Sequence, residues 1–570
     1  MRVSQVHRLV LPFVLLACGN VPPPEPTPVP LPSRPLTLPG AAARVDPSRA
    51  LQGRALENVV VFTQLFNYVR FFHPSDEAAR ANWHAIAVEG ARRVEEAPSA
   101  EELARILGEI FAPVAPTLRV FPTGLRQDLP EASVPREVYE AELGGGVSCK
   151  MPISGDKPAV PPPSDIPPTF AYSLQDRETR LAGVTIAWGV MQHFYPYFNV
   201  VGADWPGLLR KSLSEAAEAT DEQAAVIALE HMITQLHDGQ GKVVRMVKTP
   251  EGQPVPEVST NGFLPLNFTW IEGQLVVTNV HPSAGAEVRP GDIVVAIANK
   301  PIDAWMAKLE PRIPAATPWW RRHVAAGKLR AGKKREPVKV TLKHEKGDPV
   351  TVELSYSLDM AERLPHEKRP EPVAVVAPEV SYVDLDRVTP EQFEAALPTL
   401  VKSRGVIFDL RGHPKLEPAA LGHLTSKPIT SPDWKNPRVV RPNRVGLTFE
   451  VTRWIVEPKA PRLKNRIVFL TDARAIGQAE TWISMVRHYK LGKIVGETTA
   501  GTNGNMNAFP VPGGVVINWT GLRVEQFDGS RFHGVGVAPI LQATRTVKGV
   551  REGRDELLET GIKVVNGVVK

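Results

Sequence analysis

The sequence predicts a multi-domain α+β chain, with helical domains first, a β-rich domain in the middle and an α/β domain at the end. Three observations predict this class: the length, the helical spacing of apolar residues in the first 250 residues, and the strand-like runs that follow. A chain of 570 residues corresponds to about four folding units. With 43% hydrophobic and 22% charged residues, it has the composition of a globular protein and not of a disordered or polytopic membrane protein.

The charge balance and the motif content exclude several classes of partner. The 67 basic and 61 acidic residues give a net charge of +6, which is too weak to require a nucleic acid. The densest basic stretch, residues 319–335, is typical of a solvated face or of a rim that faces a peptide. We find neither a metal-ligand spacing such as His-Glu-x-x-His nor a glycine-rich nucleotide loop, so no metal and no cofactor are predicted.

The first residues have the order of an export signal. Arg2 and Arg8 precede the apolar run Leu9–Leu16, which is too short to span a bilayer. This run ends in Leu-Leu-Ala-Cys at Cys18, which resembles the bacterial lipobox; the alternative is an ordinary cleaved signal with an incidental cysteine. We therefore predict a signal peptide over residues 1–18, a lipid on Cys18, and a location in the bacterial cell envelope, periplasmic or at the outer membrane. A proline-rich linker over residues 19–50 would separate the lipid from the body.

An internal repeat appears when the chain is compared with itself at an offset of 122 residues. Phe71-Phe72-His73-Pro74 then falls on His193-Phe194-Tyr195-Pro196, and Trp83 falls on Trp205. Apolar residues recur at helical spacing in both copies. The sequence thus predicts two duplicated helical domains, at residues 51–124 and 173–250, joined by a second proline-rich linker at residues 125–172.

The rest of the chain has strand patterns of two kinds. Residues 261–358 contain short β-rich runs between glycine turns, and residues 373–570 alternate apolar strands with helices, which indicates a buried and largely parallel sheet. Gly285–Ile302 closely resembles the turn and following strand of a PDZ domain. In that family a peptide terminus binds by adding a strand to a sheet edge, and the equivalent segment here is Leu264-Pro265-Leu266-Asn267-Phe268.

The order of these domains resembles the tail-specific, or C-terminal processing, proteases, a family of serine peptidases, in its tricorn-core-like branch. The resemblance covers most of the chain after Ala55. Its markers, besides the PDZ-like turn, are Leu236–Gly241, Asp409–Gly412, Leu470–Ala475, Ile494–Gly501 and Gly534–Pro539. The resemblance implies a duplicated helical part, a PDZ-like β domain and an α/β protease core.

The same resemblance locates the catalytic positions, and this chain departs from the family pattern at each of them. The nucleophilic serine stands three residues before a glutamate that matches Glu480, and the residue at that position is Gly477. The base of this branch is the histidine of an Asp-Gly-His motif, where this chain has Gln240, which cannot accept a proton near neutral pH. The glycine-rich oxyanion loop is replaced by Gly412-His413-Pro414-Lys415-Leu416.

These substitutions predict a peptidase-like protein that binds extended or C-terminal peptides, or unfolded protein segments, with hydrolysis lost or degenerate. One alternative is an active serine endopeptidase with relocated catalytic residues, for which Ser484 and His488 share a helix face with Gly477. His237 and His533 are further candidates for proton chemistry, although a satisfied loop histidine explains each of them. Another alternative is a structural envelope lipoprotein.

Overall fold

The computed structural model describes residues 45–125, 127–129, 137–257 and 261–569. The predictions for the signal peptide, for Cys18 and for most of the first linker lie outside these residues. Many helices and several sheets make up the described part, which confirms the mixed α+β class. No helix within the described ranges combines the length and the apolar character needed to cross a membrane.

The first helical repeat is followed by its own small sheet. Its elements are α1 (Gly53–Phe72), α2 (Asp76–Arg80), α3 (Trp83–Glu95), α4 (Ala100–Phe111), β1 (Arg119–Pro122), β2 (Glu137–Gly144) and β3 (Val147–Ile153). The last two strands form a hairpin, and β1 pairs with β3 in an antiparallel sheet of order β1-β3-β2.

The prediction of a linker over residues 125–172 is therefore wrong for residues 137–153. Proline content suggested a linker, but β2 alternates outward glutamates, Glu140 and Glu142, with the inward residues Tyr139, Ala141 and Leu143. Such alternation is typical of a half-buried strand. It buries the apolar face of the hairpin against the helices.

The second repeat has the same helical order. Its elements are α5 (Arg177–Phe194), α6 (Phe198–Val201), α7 (Trp205–Glu218), α8 (Glu222–Thr234), β4 (Lys242–Lys248) and β5 (Pro254–Pro256). Both repeats contribute side chains to one continuous hydrophobic core, so they are not separate small domains as the sequence suggested.

The two long helices α1 and α5 pack parallel and in register. The Thr63 and Thr185 hydroxyls, which are equivalent in the repeat, lie 3.0 Å apart. One turn further, a Cβ on Gly189 would lie 1.8 Å from Oδ1 of its equivalent Asn67, so only glycine allows this approach. After another turn, the rings of Phe71 and His193 lie 5.6 Å apart. Contacts between equivalent residues at three successive turns place a pseudo-twofold axis along this helix pair.

The middle of the chain forms a six-stranded sheet, a separate pair of short strands and two helices. Its elements are β6 (Gly262–Phe263), β7 (Leu266–Ile271), β8 (Gln274–Val280), β9 (Ile293–Ile297), β10 (Lys300–Pro301), α9 (Ile302–Leu309), α10 (Pro318–Leu329), β11 (Ala331–Gly332), β12 (Pro337–Lys343) and β13 (Val350–Ser355), with 3₁₀ turns at Pro282–Ala284 and Glu310–Arg312. The strand order is β13-β12-β9-β8-β7, with β10 paired to β9, so β7 and β13 are the two edges.

The last part of the chain contains a second six-stranded sheet together with helices and further short strands that belong to other sheets. Its elements are β14 (Val373–Ala377), β15 (Val380–Asp384), α11 (Pro390–Lys402), β16 (Gly405–Asp409), a 3₁₀ helix (Pro418–Leu424), β17 (Ile429–Thr430), β18 (Trp434–Arg438), β19 (Thr448–Thr452), β20 (Ile455–Val456), β21 (Arg466–Thr471), α12 (Gln478–His488), β22 (Lys493–Gly496), β23 (Met506–Val511), β24 (Val515–Thr520), β25 (Arg523–Val524), β26 (Leu541–Gln542), α13 (Val547–Arg551) and α14 (Glu556–Val565). The sheet order is β14-β15-β16-β21-β22-β26, and every pair except β14–β15 is parallel.

The β23–β24 hairpin does not join this sheet. It pairs through β24 with β4 of the second repeat, in the order β23-β24-β4-β5. The hairpin β23–β24 and strand β4 are arranged like the hairpin β2–β3 and strand β1 of the first repeat. Each hairpin turn also contains two glycines with positive φ, Gly145-Gly146 in the first and Gly513-Gly514 in the second. The second repeat is therefore completed by a hairpin from the far end of the chain, and this hairpin brings the two halves of the candidate site together.

Candidate active site

Gly477 lies at the sharp turn between β21 and α12. Its φ is +60° and its ψ is −115°, a conformation that side-chain-bearing residues rarely adopt. The Gly477 amide donates to the carbonyl of Thr502 over 3.0 Å, and its own carbonyl accepts from the amides of Glu480 and Thr481. The backbone therefore has a strained strand-to-helix turn, the geometry that exposes a nucleophile in other hydrolases, but no side chain stands on it.

Gln240 faces this position from the loop between α8 and β4. A Cβ built on Gly477 would lie 3.0 Å from Gln240 Nε2. The amide of the Gln240 side chain donates to the carbonyl of Gly504 over 3.2 Å, and its Oε1 lies 3.0 Å from the Thr520 hydroxyl. Two positions that the sequence separates by more than 200 residues therefore lie side by side, and neither carries a group that can take up a proton.

Asp238 holds the Gln240 loop in place. Its side chain is fully buried and accepts three hydrogen bonds. The donors are the backbone amide of Thr520 at 2.6 Å, the Thr520 hydroxyl at 2.7 Å and the backbone amide of Gln240 at 3.0 Å. Burial raises the pKa of Asp238, and these hydrogen bonds partly oppose the increase. Because Thr520 ends β24, the late hairpin fixes the loop that carries the base position.

Glu480 is the buried carboxyl beneath the turn. Its Oε1 accepts from the Thr499 hydroxyl at 2.5 Å and the Gly501 amide at 2.7 Å, and its Oε2 accepts from the Thr502 amide at 3.0 Å. Burial nevertheless raises the pKa of Glu480 to about 8, because the hydrogen bonds compensate only part of the lost hydration. Glu480 thus ties the loop 499–502 to the start of α12.

Replacing Glu480 should change how stability depends on pH. A carboxyl with a pKa of about 8 in the folded chain and about 4.3 in the unfolded chain keeps a proton that unfolding releases between these values. Its contribution is complete below about pH 4.3 and is lost as the pH rises through 8, with a slope of up to about 1.4 kcal/mol per pH unit. We expect Glu480→Gln to reduce this slope in urea unfolding at pH 5, 6.5 and 8, while Glu178 and Glu497, whose pKa values burial raises to about 7, keep part of it. The exposed Glu552→Gln should retain it; an unchanged slope in Glu480→Gln would contradict the assignment.

The loop opposite the turn does not offer a free oxyanion site at His413. The amide of His413 donates to Asp386 Oδ1 over 3.2 Å. The Gln478 side chain bridges to this loop by donating to the carbonyl of Leu416 over 3.4 Å. An amide that is already bonded to a carboxylate is poorly placed to stabilise a developing oxyanion.

The relocated candidates lie away from Gly477. Ser484 is seven residues further along α12, about 10 Å by the helical rise. It is buried, and its hydroxyl has no hydrogen-bond partner among the described residues. His488 is exposed, and its ring stacks on Phe527 with a centroid distance of 3.9 Å. The structure therefore gives Ser484 and His488 different surroundings and no hydrogen bond between them.

The two other histidines lie near the base position. His533 is buried and stacks on Tyr197 at 4.3 Å, and burial lowers its pKa to about 3, which keeps the ring neutral. Burial, with Arg321 nearby, also lowers the pKa of His237. Both rings lie beside the site loops. Among the described residues, neither ring forms a hydrogen bond with Gly477.

Three residues at the start of α10 also contact the site, and the sequence did not reveal them. Trp320 Nε1 donates to the carbonyl of Gly239 over 3.0 Å, Trp319 Nε1 donates to Thr499 over 2.7 Å, and the Thr317 hydroxyl donates to Ala500 over 2.7 Å. In the sequence these tryptophans stood out only as part of a basic stretch. Their acceptors lie about 80 to 180 residues away, so no local pattern could have indicated the contact.

The segment predicted to bind peptides lies at the edge of the middle sheet. Leu264, Leu266 and Phe268 are buried in the core of the β domain, and Pro265 is also buried. The side chain of Asn267 donates to the carbonyl of Leu364 over 3.0 Å. His366 lies between β7 and α10, with Nδ1 3.4 Å from the Thr269 hydroxyl and its ring 5.1 Å from that of His323. A peptide could therefore use this segment only along the backbone edge of β7 and by displacing residues 364–366.

The described ranges contain no group of three or more histidine, cysteine, aspartate or glutamate side chains arranged to hold a metal ion. The site is instead built from backbone amides, two buried carboxyls and aromatic N–H groups. It combines a strained turn after a parallel strand, a facing loop from a helical domain, and a β domain that contacts the loops on both sides.

Comparison with known proteins relates the last part of the chain to one peptidase family. Residues 379–542 match the model described as Peptidase family S41, which supports the resemblance of this part of the chain to the tail-specific proteases. The chain is similar in structure to mature CPAF, at a TM-score of 0.52 and 14% identity, over 68% of this chain and 96% of that one. Mature CPAF complexed with lactacystin gives a TM-score of 0.53 and 15% identity, over 69% and 98%. Curated proteins give no match.

Proposed function

We propose that this chain is an exported peptide-binding member of the tail-specific protease family that has lost hydrolysis. The observation that carries the proposal is the pair Gly477 and Gln240. A glycine occupies the strained turn where a nucleophile would stand, and an amide lies 3.0 Å from the place of its Cβ. Without a hydroxyl and a base, no acyl-enzyme can form at this turn.

The β domain supports the binding part of the proposal. We infer a PDZ-like groove between the edge strand β7 and helix α10. Residues 364–366 of this chain lie in it, so a peptide would have to displace them. An extended peptide would add to β7 by main-chain hydrogen bonds, with its terminus near Leu264–Phe268. Because α10 also donates to the site loops through Trp319 and Trp320, a peptide in this groove would lie close to the vacated turn.

The location belongs to the same proposal. A lipid on Cys18 would anchor the chain in the cell envelope, and the proline-rich stretch after it would serve as a spacer. Metabolic labelling with an alkyne fatty acid should mark the wild-type chain and fail to mark Cys18→Ser. The partners of the anchored protein would be peptides or unfolded segments of envelope proteins.

Binding without cleavage is the expected result for hydrophobic carboxy-terminal peptides. We expect micromolar binding by fluorescence polarisation, with peptides that mass spectrometry finds intact after overnight incubation. Thr269→Arg, on the edge strand β7, should weaken binding at least tenfold by crowding the groove. Thr351→Arg, on the opposite edge strand β13, is the matched control and should have no effect. Equal affinities for the two variants would contradict the groove.

The same incubation distinguishes the proposed function from the two alternatives, an active endopeptidase and a structural lipoprotein. An active endopeptidase that uses Ser484, whose hydroxyl has no hydrogen-bond partner, would cleave the peptides and react with a fluorophosphonate probe, and Ser484→Ala would abolish both. A purely structural lipoprotein would neither bind nor cleave. Stoichiometric labelling at Ser484 would overturn the proposed loss of hydrolysis.

A further inference from the structure

A segment between the β domain and the α/β part lies where the proposed peptide would bind. Residues 359–372 form neither helix nor strand, and they follow a β-bridge in which Leu358 pairs with Phe263. Arg363 then places its guanidinium carbon 5.7 Å from the centre of the Phe263 ring. We call residues 363–367 the latch. Because the latch belongs to no helix or sheet, it can leave the groove without unfolding any element.

Side-chain amides of the β domain hold the backbone of the latch. Asn267 Nδ2 donates to the carbonyl of Leu364 over 3.0 Å, and Asn279 Nδ2 donates to the carbonyl of Pro365 over 3.4 Å. The two asparagines are opposite each other on β7 and β8. Every residue has a carbonyl that can accept such a bond, so the carbonyls of another extended segment could replace those of the latch.

The side chains in the middle of the latch make few contacts. The ring of His366 lies 5.1 Å from that of His323 on α10, and its Nδ1 lies 3.4 Å from the Thr269 hydroxyl on β7. Leu364, Pro365 and His366 all keep part of their surface exposed. Displacing this part of the latch would therefore expose little additional apolar surface.

Glu367 fixes the end of the latch. It is buried and pairs with three arginines, Arg369, Arg474 at 3.0 Å and Arg545 at 3.4 Å. Burial alone would raise the pKa of Glu367, but Arg474 and Arg369 outweigh burial and hold the pKa well below its ordinary value. Arg474 lies in the loop after β21, three residues before Gly477. The end of the latch is thus anchored in the α/β part by charge, while its middle is held by few contacts.

Given the peptide groove proposed above, on which this inference rests, we propose that the latch is an internal ligand of that groove. A peptide binds by displacing residues 364–366, while Glu367 stays anchored. The carbonyls of the peptide then accept from Asn267 and Asn279 in place of those of the latch. Because the latch is tethered beside the groove, it competes at a high effective concentration. The unaltered chain therefore binds peptides more weakly than the open groove would.

Weakening the latch should strengthen peptide binding. Pro365→Gly with His366→Ala removes the restricted backbone and the ring contact with His323, and it changes no residue of the β domain. We expect the dissociation constant for hydrophobic carboxy-terminal peptides, measured by fluorescence polarisation, to fall about tenfold. Pro349→Gly, at an exposed position before the opposite edge strand β13, is the matched control and should leave the constant unchanged.

Fixing the latch in place should abolish peptide binding. In a Cys18→Ser background, Thr269→Cys with His366→Cys puts two thiols at a contact of 3.4 Å, and a short bis-alkylating reagent should join them. We expect peptide binding before the thiols are joined and at least a tenfold loss afterwards. The control pair is Thr341→Cys with Thr351→Cys, whose parent hydroxyls lie 3.0 Å apart on β12 and β13. Joining this pair should leave binding unchanged.

The same variants show directly whether the peptide moves the latch. A saturating peptide should slow the joining of the pair at positions 269 and 366 and leave the control pair unaffected. Equal affinities of the parent chain and Pro365→Gly with His366→Ala, or unchanged binding after the first pair is joined, would overturn the latch and leave the peptide groove intact. Absence of binding by every variant, including the one with the weakened latch, would overturn both the latch and the groove.

Discussion

The double substitution Gly477→Ser with Gln240→His is expected to make the chain react with a fluorophosphonate probe about 10³-fold faster than either single variant. A serine at position 477 would place its Cβ next to the end of residue 240, where an imidazole could take the hydroxyl proton. Peptide turnover should remain slow, because the His413 amide is bonded to Asp386 and contributes nothing to an oxyanion site.

The single variants are the controls for this experiment. Gly477→Ser has a nucleophile without a base, and Gln240→His has a base without a nucleophile, so neither should label above background. A serine at φ +60° should also cost about 1–3 kcal/mol of folding stability, measurable by urea unfolding. Rapid labelling of the unaltered chain, or of Gln240→His alone, would show that another hydroxyl is the nucleophile.

Arg411→Met is expected to destabilise the chain by about 3–5 kcal/mol, the largest effect on stability that we predict for one substitution. Arg411 is fully buried after β16, where Nη2 lies 2.6 Å from Asp409 and 2.7 Å from Asp555. Burial alone would raise the pKa of Asp409, but Arg369 and Arg411 outweigh it and hold the pKa below its ordinary value. Removing Arg411 leaves these carboxylates buried without their main partner.

A surface arginine of the same region is the control. Arg554 pairs with Glu559 at 2.7 Å, with both side chains more than a third exposed, so Arg554→Met should cost far less stability than Arg411→Met. The parent chain should also lose stability as the pH falls below about 4, because the lowered pKa of Asp409 contributes only while the carboxyl is ionised. Equal losses in Arg411→Met and Arg554→Met would contradict the buried network.

Much of the fold could be predicted because short windows of sequence record it. The helical repeat follows from apolar spacing, and the strands of the α/β part follow from continuous apolar runs such as Val406–Phe408. The hairpin Glu137–Ile153 was missed because proline content was given more weight than its alternation. The candidate positions Gly477 and Gln240 were predicted from motif resemblance, since each prediction depends on a few neighbouring residues.

The sequence by itself determined which side chains this protein has, and its family resemblance predicted that Gly477 and Gln240 occupy the nucleophile and base positions. Only the tertiary structure decided that these two residues face each other, that β24 completes the second repeat through Thr520 and Asp238, and that α10 contacts the site through its tryptophans. The reason is that periodicity is a local property of the chain. The choice of distant partners depends on which surfaces bury together, and no short segment contains that information.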